Sequence, residues 1–267
     1  MYMKATPFAL LIPLLLMFAC EGEQAVPSNT LGSEIELSMT EYIDADQRSL
    51  SFKFLTLKDF PCINYRIKHD MVVDQQAIKI VLEEVEVSDV CLDAIGPASA
   101  FVDLGMLDEK EYDLQIQMGS SLINHGTLSV SKDAYELNLL ESEGIELAVP
   151  KLNRIPAQAV WGTIKYTDEE RHKKVAAYFE EAMDIAGATD KKFSEGDYGY
   201  FKVSSEGKIT QPIEGNEAVK EQAFLFDFAG KTEDLLQVLQ RINSRYNDVQ
   251  LRFYNAQGEE FRNWNLN

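Results

Sequence analysis

Positive charge is scarce in this chain: 25 Lys and Arg stand against 44 Asp and Glu, for a net charge of -19. A phosphate backbone repels such a field, which argues against a nucleic-acid partner and against adsorption on anionic headgroups. The 3 histidines, His69, His125 and His172, are scattered, with no close cluster of cysteine and histidine at metal-ligand spacing, so no metal and no cofactor is expected. GxSxG, HExxH, GxGxxG and P-loop patterns are all missing, and no catalytic residue is assigned. Ser205 and Lys208 satisfy Ser-x-x-Lys, but in a turn-forming stretch instead of at a helix start. Asp44 and Asp46 begin like a calcium loop that lacks its glycine and terminal glutamate. Glu83, Glu84 and Glu86 suggest an acid–base pair, yet alternation along a strand places Glu84 and Glu86 together on a wet face. A membrane-spanning helix needs roughly 20 apolar residues. The apolar run at 8–19 falls short of that and is interrupted by Pro13.

That run has a different use. Lys4, the apolar core at 8–19 and the small Ala19 before Cys20 have the anatomy of a secretory signal. The Ala19-Cys20 junction resembles the lipobox of bacterial lipoproteins, with Met17 and Phe18 where those signals carry Leu and a small residue, and Leu16 one step early. The resemblance covers the leader alone. It implies a signal peptide over 1–19, a diacylglycerol on Cys20 as the mature N-terminus, and a protein tethered to the membrane without spanning it. An ordinary cleaved signal and an uncleaved anchor are the alternatives. Glu21 is not the Asp of an inner-membrane retention signal, which implies the outer membrane, on its periplasmic or its outer side. With Cys20 assigned to lipid, Cys62 and Cys91 remain as a pair for a disulfide in an oxidising compartment. The competing readings are two buried thiols and a catalytic cysteine served by His69 or His125, which nothing in the spacing supports.

Residues 20–33, rich in Gly, Gln, Pro, Ser, Asn and Thr, read as a lipidated tether. Short segments with period-two alternation follow at 35–39, 50–55, 63–67, 77–87, 98–104, 112–118, 126–130 and 135–140, each bounded by turn chemistry. Strands at this spacing predict an antiparallel sandwich over 34–150, immunoglobulin-like or fibronectin-like in architecture. Both cysteines fall at strand ends and no tryptophan lies between them, so the bond should staple loops instead of crossing the core. Gly144, Pro150 and Pro156 mark a boundary, and a second domain over 156–267 follows. There, a strand at 159–166 leads into a capping box at Thr167 and Glu170. Val175, Tyr178, Phe179, Ala182, Ile185 and Ala186 then recur at helical spacing up to Gly187. A hairpin at 198–203 and 208–211 precedes a strand at 224–228, a helix capped by Thr232, and strands at 249–254 and 260–264. The order resembles the split βαβ of ferredoxin-like domains with an extra edge strand, both helices covering one face.

Trp161, Tyr198, Tyr200, Tyr254 and Trp264 form a candidate aromatic binding surface for sugar or peptide, in competition with core packing. The expected role is non-catalytic binding or interaction by a cell-envelope lipoprotein, with an unknown protein or glycan as partner besides the membrane that holds its anchor. The alternative is an inhibitor or chaperone-like accessory lipoprotein of an exported enzyme, offering a sheet edge. An enzyme with an unfamiliar site would instead show a deep pocket around a desolvated carboxylate or histidine.

Overall fold

The computed structural model describes residues 31, 34–44, 47–166, 169–190, 192–210, 220–246 and 248–265. The leader, Cys20, the tether apart from Leu31, the capping threonine at 167 and the side chain of His172 lie outside the described residues. Eight strands come first: β1 (Ile35–Ile43), β2 (Arg48–Phe60), β3 (Arg66–Val73), β4 (Ala77–Glu86), β5 (Gly96–Asp103), β6 (Glu111–Met118), β7 (Leu122–Val130) and β8 (Ala134–Leu139). Then follow β9 (Ile145–Leu147), β10 (Lys151–Asn153), β11 (Ala159–Tyr166), α1 (Glu169–Ile185), β12 (Ala188–Thr189), β13 (Gly196–Asp197) and β14 (Lys202–Val203). The chain continues through β15 (Lys220–Phe228), α2 (Thr232–Arg245), β16 (Gln250–Asn255) and β17 (Glu260–Arg262).

The fold is mostly β. A 12-stranded sheet runs β14-β13-β10-β8-β7-β6-β4-β3-β5-β2-β1-β9, and a 5-stranded sheet runs β12-β15-β11-β16-β17. Alternation decides which side chains the large sheet buries. Ile35, Leu37 and Met39 of β1 and Leu50, Phe52 and Phe54 of β2 point inward, between half-exposed polar neighbours. The sheet curls around one continuous core that extends from Ile35 to Leu152, and β1 near one end of the strand order packs against β10 near the other. Most neighbours are antiparallel, but β1–β9, β10–β13, β3–β5 and β4–β6 are parallel, the last because the chain crosses between them to place β5 beside β2. The large sheet also runs across the boundary predicted between 150 and 156: β9 lies before it, β10 within it, and β13 and β14 after it.

In the small sheet every pairing is antiparallel. Consequently α1 connects β11 to β12 with β15 between them, and α2 connects β15 to β16 with β11 between them. Val175, Phe179, Ala182 and Met183 of α1 meet Leu235, Val238, Leu239 and Ile242 of α2 over one face of the sheet. Ile185, expected on that stripe, is 64% exposed, and Met183 fills the place. Gly187, at φ +95, ends α1 by turning into the left-handed region. The cap of α2 is Lys231, whose N–H donates to Asp234; Thr232 instead gives its hydroxyl to Glu259 at 3.1 Å.

Strand β11 is buried along Ala159–Ile164 without alternation, which means that both of its faces are covered. Val160 and Ile164 join the helix-side core, whereas Ala159 and Trp161 join a third cluster with Ile43, Ile155, Phe193, Tyr198, Phe201, Val203 and Ala256. This cluster is the seam between the two sheets. The predicted hairpin at 198–211 supplies part of it: Ser204–Gly207 forms the turn as expected, but Tyr198 and Phe201 fold inward across a tight turn at Gly199. Across that turn the arms pair through a Val203–Ile209 bridge, while Lys202–Val203 pairs on its other side with Gly196–Asp197.

Candidate binding surface

Two loops stand side by side at one end of the large sheet, the first between β2 and β3 and the second between β4 and β5. The Cys62–Cys91 disulfide joins them with a Cα–Cα distance of 5.2 Å. Cys62 belongs to the core while Cys91 is exposed, so the bond staples loops, as the strand-end positions indicated. Asn64 adds two polar ties beside it: its Nδ2 donates to the Val90 carbonyl at 2.6 Å, and its Oδ1 accepts the Leu92 N–H at 3.1 Å. Three consecutive residues, Val90, Cys91 and Leu92, are thereby fixed to the neighbouring loop.

What the staple holds out is apolar. Ile63, Val87, Val90, Leu92 and Ile95 are between 47% and 77% exposed. Ile63 lies against Gly96, so the two loops share one patch; a Cβ on Gly96 would meet the Ile63 side chain at 3.1 Å. Single exposed aliphatics are ordinary on protein surfaces, but several gathered on one rigid tip mark a contact site. A hollow of about 320 Å³ adjoins it, lined by Asn64, Arg66, Glu86, Val87, Ser88 and Asp89. Glu86, Asp89 and Asp93 are exposed around the patch, and residues 86–95 contain no Lys or Arg. The signal for this site in the sequence is the set Val90, Leu92 and Ile95, just past the alternating segment that ends at Val87, in a stretch that shows no strand or helix periodicity.

The five aromatics divide differently. Trp161 is at the centre of the seam, stacked on Tyr254 at 5.9 Å and tilted against Tyr200 at 5.7 Å and Phe201 at 5.6 Å. Tyr198 stacks on Phe201 at 5.0 Å. Four of the five are therefore brought together, but inward: Trp161 and Tyr198 are buried, and Tyr200 and Tyr254 half-buried. Trp264 stands apart, exposed, beneath the Arg262 guanidinium.

A carboxylate closes the seam. Glu41 occupies an inward register of β1 and is fully buried. It accepts hydrogen bonds from the Tyr135 hydroxyl at 3.1 Å, Arg154 Nε at 3.2 Å and the Ile155 N–H at 3.4 Å, and Arg48 Nη1 lies 3.7 Å away. Arg48 also donates to the carbonyls of Ile155, at 2.5 Å, and Ala256, at 3.2 Å, so it ties the first strands to the last hairpin. Burial, and then the neighbouring Glu41 charge, push the Tyr135 hydroxyl far above its ordinary value. The alternating segment expected at 35–39 stops short of Glu41, because an acid at an inward position interrupts the apolar pattern. Three hydrogen bonds and the Arg48 charge hold this carboxylate, so its geometry is that of a clamp and not of an acid–base catalyst.

The remaining polar candidates are brought into no common site. No group of three or more His, Cys, Asp or Glu among the described residues is placed to hold a metal ion. His69 Nδ1 is 3.2 Å from the Ile67 carbonyl, and His125 is exposed on β7. Glu83 pairs with Lys68 at 2.5 Å, while Glu84 and Glu86 face solvent. Lys208 pairs with Glu206, within the turn that also contains Ser205. No helix among the described residues is long and apolar enough to cross a membrane. No protein-family model, curated protein or solved structure matches the chain.

Proposed function

We propose that this chain is a lipid-anchored protein of the bacterial cell envelope that binds a partner without chemistry, and that the stapled apolar tip is its contact. The observation that carries the reading is the exposure of five aliphatic side chains on loops fixed by a disulfide and by Asn64. Rigid display lowers the ordering cost of binding, and exposed aliphatics supply the driving force. The Cys62–Cys91 bond supports export to an oxidising compartment, which agrees with the lipobox-like leader and an anchor at Cys20. In this reading the part of the curled sheet over 34–150 is an immunoglobulin-like sandwich, which β10, β13 and β14 extend. The interleaved strands and helices of 156–267 are a ferredoxin-like unit with one extra edge strand, packed on the sandwich through the aromatic seam.

A projecting, disulfide-stapled loop also suits a second reading, an inhibitor or accessory protein that fills the cleft of an exported enzyme. The test of the binding reading places a photo-crosslinking amino acid at Ile95 or, as a control, at the equally exposed Leu140, in the full chain made in a bacterial envelope. Adducts from position 95 and none from 140 are expected. Absence of any adduct from the tip overturns the contact. Failure of labelled fatty acid to incorporate, or a Cys20→Ser chain that fractionates as the parent does, overturns the anchor.

A further inference from the structure

We infer that the occupant of the tip is a protein offering an aliphatic pocket with a basic rim, and not a bilayer, a glycan or a second copy of this chain. The inference rests on the binding reading above and adds the chemistry of the partner. Its first support is the kind of apolar residue displayed. Ile63, Val87, Val90, Leu92 and Ile95 are all aliphatic, whereas the nearest rings, Phe60 and Tyr65, are buried against each other at 5.5 Å. Loops that sit in the membrane interface carry Trp and Tyr at headgroup depth, and sugar sites need an aromatic face to stack on. The tip has neither.

The second support is charge. Glu86, Asp89 and Asp93 are exposed along the second loop, with no base in residues 86–95, and Arg66, opposite Glu86 in the adjoining hollow, is the one base in that lining. Anionic headgroups are repelled by that loop, whose three carboxylates outnumber Arg66. A two-fold contact between copies would set the same acids against each other, and a net charge of -19 opposes it at longer range. A protein surface with Lys or Arg around an apolar hollow meets both requirements, since it buries the aliphatics and pairs the rim. The staple makes the match one of fixed shapes, because Val90 and Leu92 are held on Asn64 before any partner arrives.

The test uses the full chain carrying Cys20→Ser, so that no lipid contributes, and four probes. These are an amphipathic helical peptide of Leu and Lys, its Leu and Glu counterpart, phosphatidylcholine vesicles with and without phosphatidylglycerol, and the chain itself in sedimentation. The Leu/Lys peptide is expected to bind, and the Leu/Glu peptide not. Its Kd should rise about tenfold or more in a Leu92→Ser/Ile95→Ser chain, and severalfold in Asp89→Asn/Asp93→Asn or on raising the salt to about 1 M. Leu140→Ser should leave it unchanged. Because Asp89, Leu92, Asp93, Ile95 and Leu140 are exposed, unchanged circular dichroism and urea midpoint establish that the variants fold. Equal affinity of the tip variants and the parent overturns the inference, since the peptide is then bound by the acidic surface in general. Vesicle adhesion or dimerisation that Leu92→Ser/Ile95→Ser abolishes also overturns it, while leaving the tip as a binding surface. A lack of tip adducts in the envelope, by contrast, removes both the inference and the reading beneath it.

Discussion

Replacing Glu41 by alanine removes the carboxylate on which the seam converges. Arg48 and Arg154, whose side chains are only 23% and 20% exposed, would then face each other's charge with no anion between them. Breaking a buried pair from one side costs about 3–5 kcal/mol, chiefly because the stranded charge stays desolvated, and here two cations share that penalty. Glu41→Gln keeps the shape and one acceptor but turns the other into a donor and removes the charge, so it should cost less than alanine, about 1–3 kcal/mol. A triple variant, Glu41→Leu with Arg48→Met and Arg154→Met, removes all three charges and should recover most of the loss, within about 1–2 kcal/mol of the parent. Urea unfolding, followed by far-ultraviolet circular dichroism and by tryptophan fluorescence, measures each difference. The parent should show coincident transitions. In Glu41→Ala the fluorescence transition should come first, because Trp161 lies in the seam that Arg48 ties through Ile155 and Ala256. A cost below about 1 kcal/mol, the range of an exposed ion pair, would refute the reasoning. A triple variant no better than Glu41→Ala would refute it as well.

Alkaline titration supplies a second check. Tyr135, Tyr198 and Tyr200 are all raised above the ordinary value of 10.0, in each case mainly by burial. A raised folded value contributes stability that is present below pH about 10 and lost as pH rises past it; absorbance at alkaline pH should therefore show these 3 of the 11 tyrosines ionising late and together with unfolding. Gly162→Ala puts a Cβ 2.2 Å from the Arg252 carbonyl and 2.5 Å from Phe253 Cβ in the middle of the small sheet. That overlap should cost about 3 kcal/mol in a urea titration, and a neutral result would mean that β16 lies farther from β11. Cys62→Ser/Cys91→Ser opens a loop of 29 residues' separation and should lower stability by about 3–4 kcal/mol by the loop-entropy argument, seen as a lower urea midpoint. An unchanged midpoint would show that the loops are held by Asn64 and core packing alone.

Alternation made the first eight strands legible, because each buries one face and wets the other. The segment expected at 112–118 differs from β6 by one residue, and that at 159–166 coincides with β11. Both helices were legible from their apolar stripes. The strand order was not, since pairing β4 parallel to β6 depends on which layer β5 joins across the core, and no local pattern records that. Ile63 was expected inside a strand at 63–67, yet the chain turns at 61–64 and β3 starts at Arg66, because Cys62 is drawn into the core and Asn64 is engaged by the opposite loop. Trp161 is a ring that sequence places equally well on a surface or in a core. The unbroken burial of its strand decides for the core, and the near-continuous run Ala159, Val160, Trp161, Gly162 was the available sign. Glu41 was passed over because strand reading follows apolar residues, although an acid two residues after Met39 on an inward register is the stronger anomaly.

That anomaly bears on how the tip is presented. The prolines at 150 and 156 suggest a flexible boundary, but the residues between them are pinned. Lys151–Asn153 pairs with β8, and Ile155 is buried with its N–H on Glu41 and its carbonyl on Arg48. On the far side of the seam the close approach of Gly258 to the Ile43 carbonyl leaves room for no side chain, and its φ of +79 suits the turn that makes the approach possible. A hinge there would have to expose Trp161, Ile155 and Ala256 and desolvate nothing in return, which apolar burial opposes. The two sheets therefore move as one body. In the proposed lipid-anchored protein, a body that is rigid across its seam would present the stapled aliphatic tip in one orientation relative to the rest of the fold, and the length of the tether would set its effective concentration near one partner.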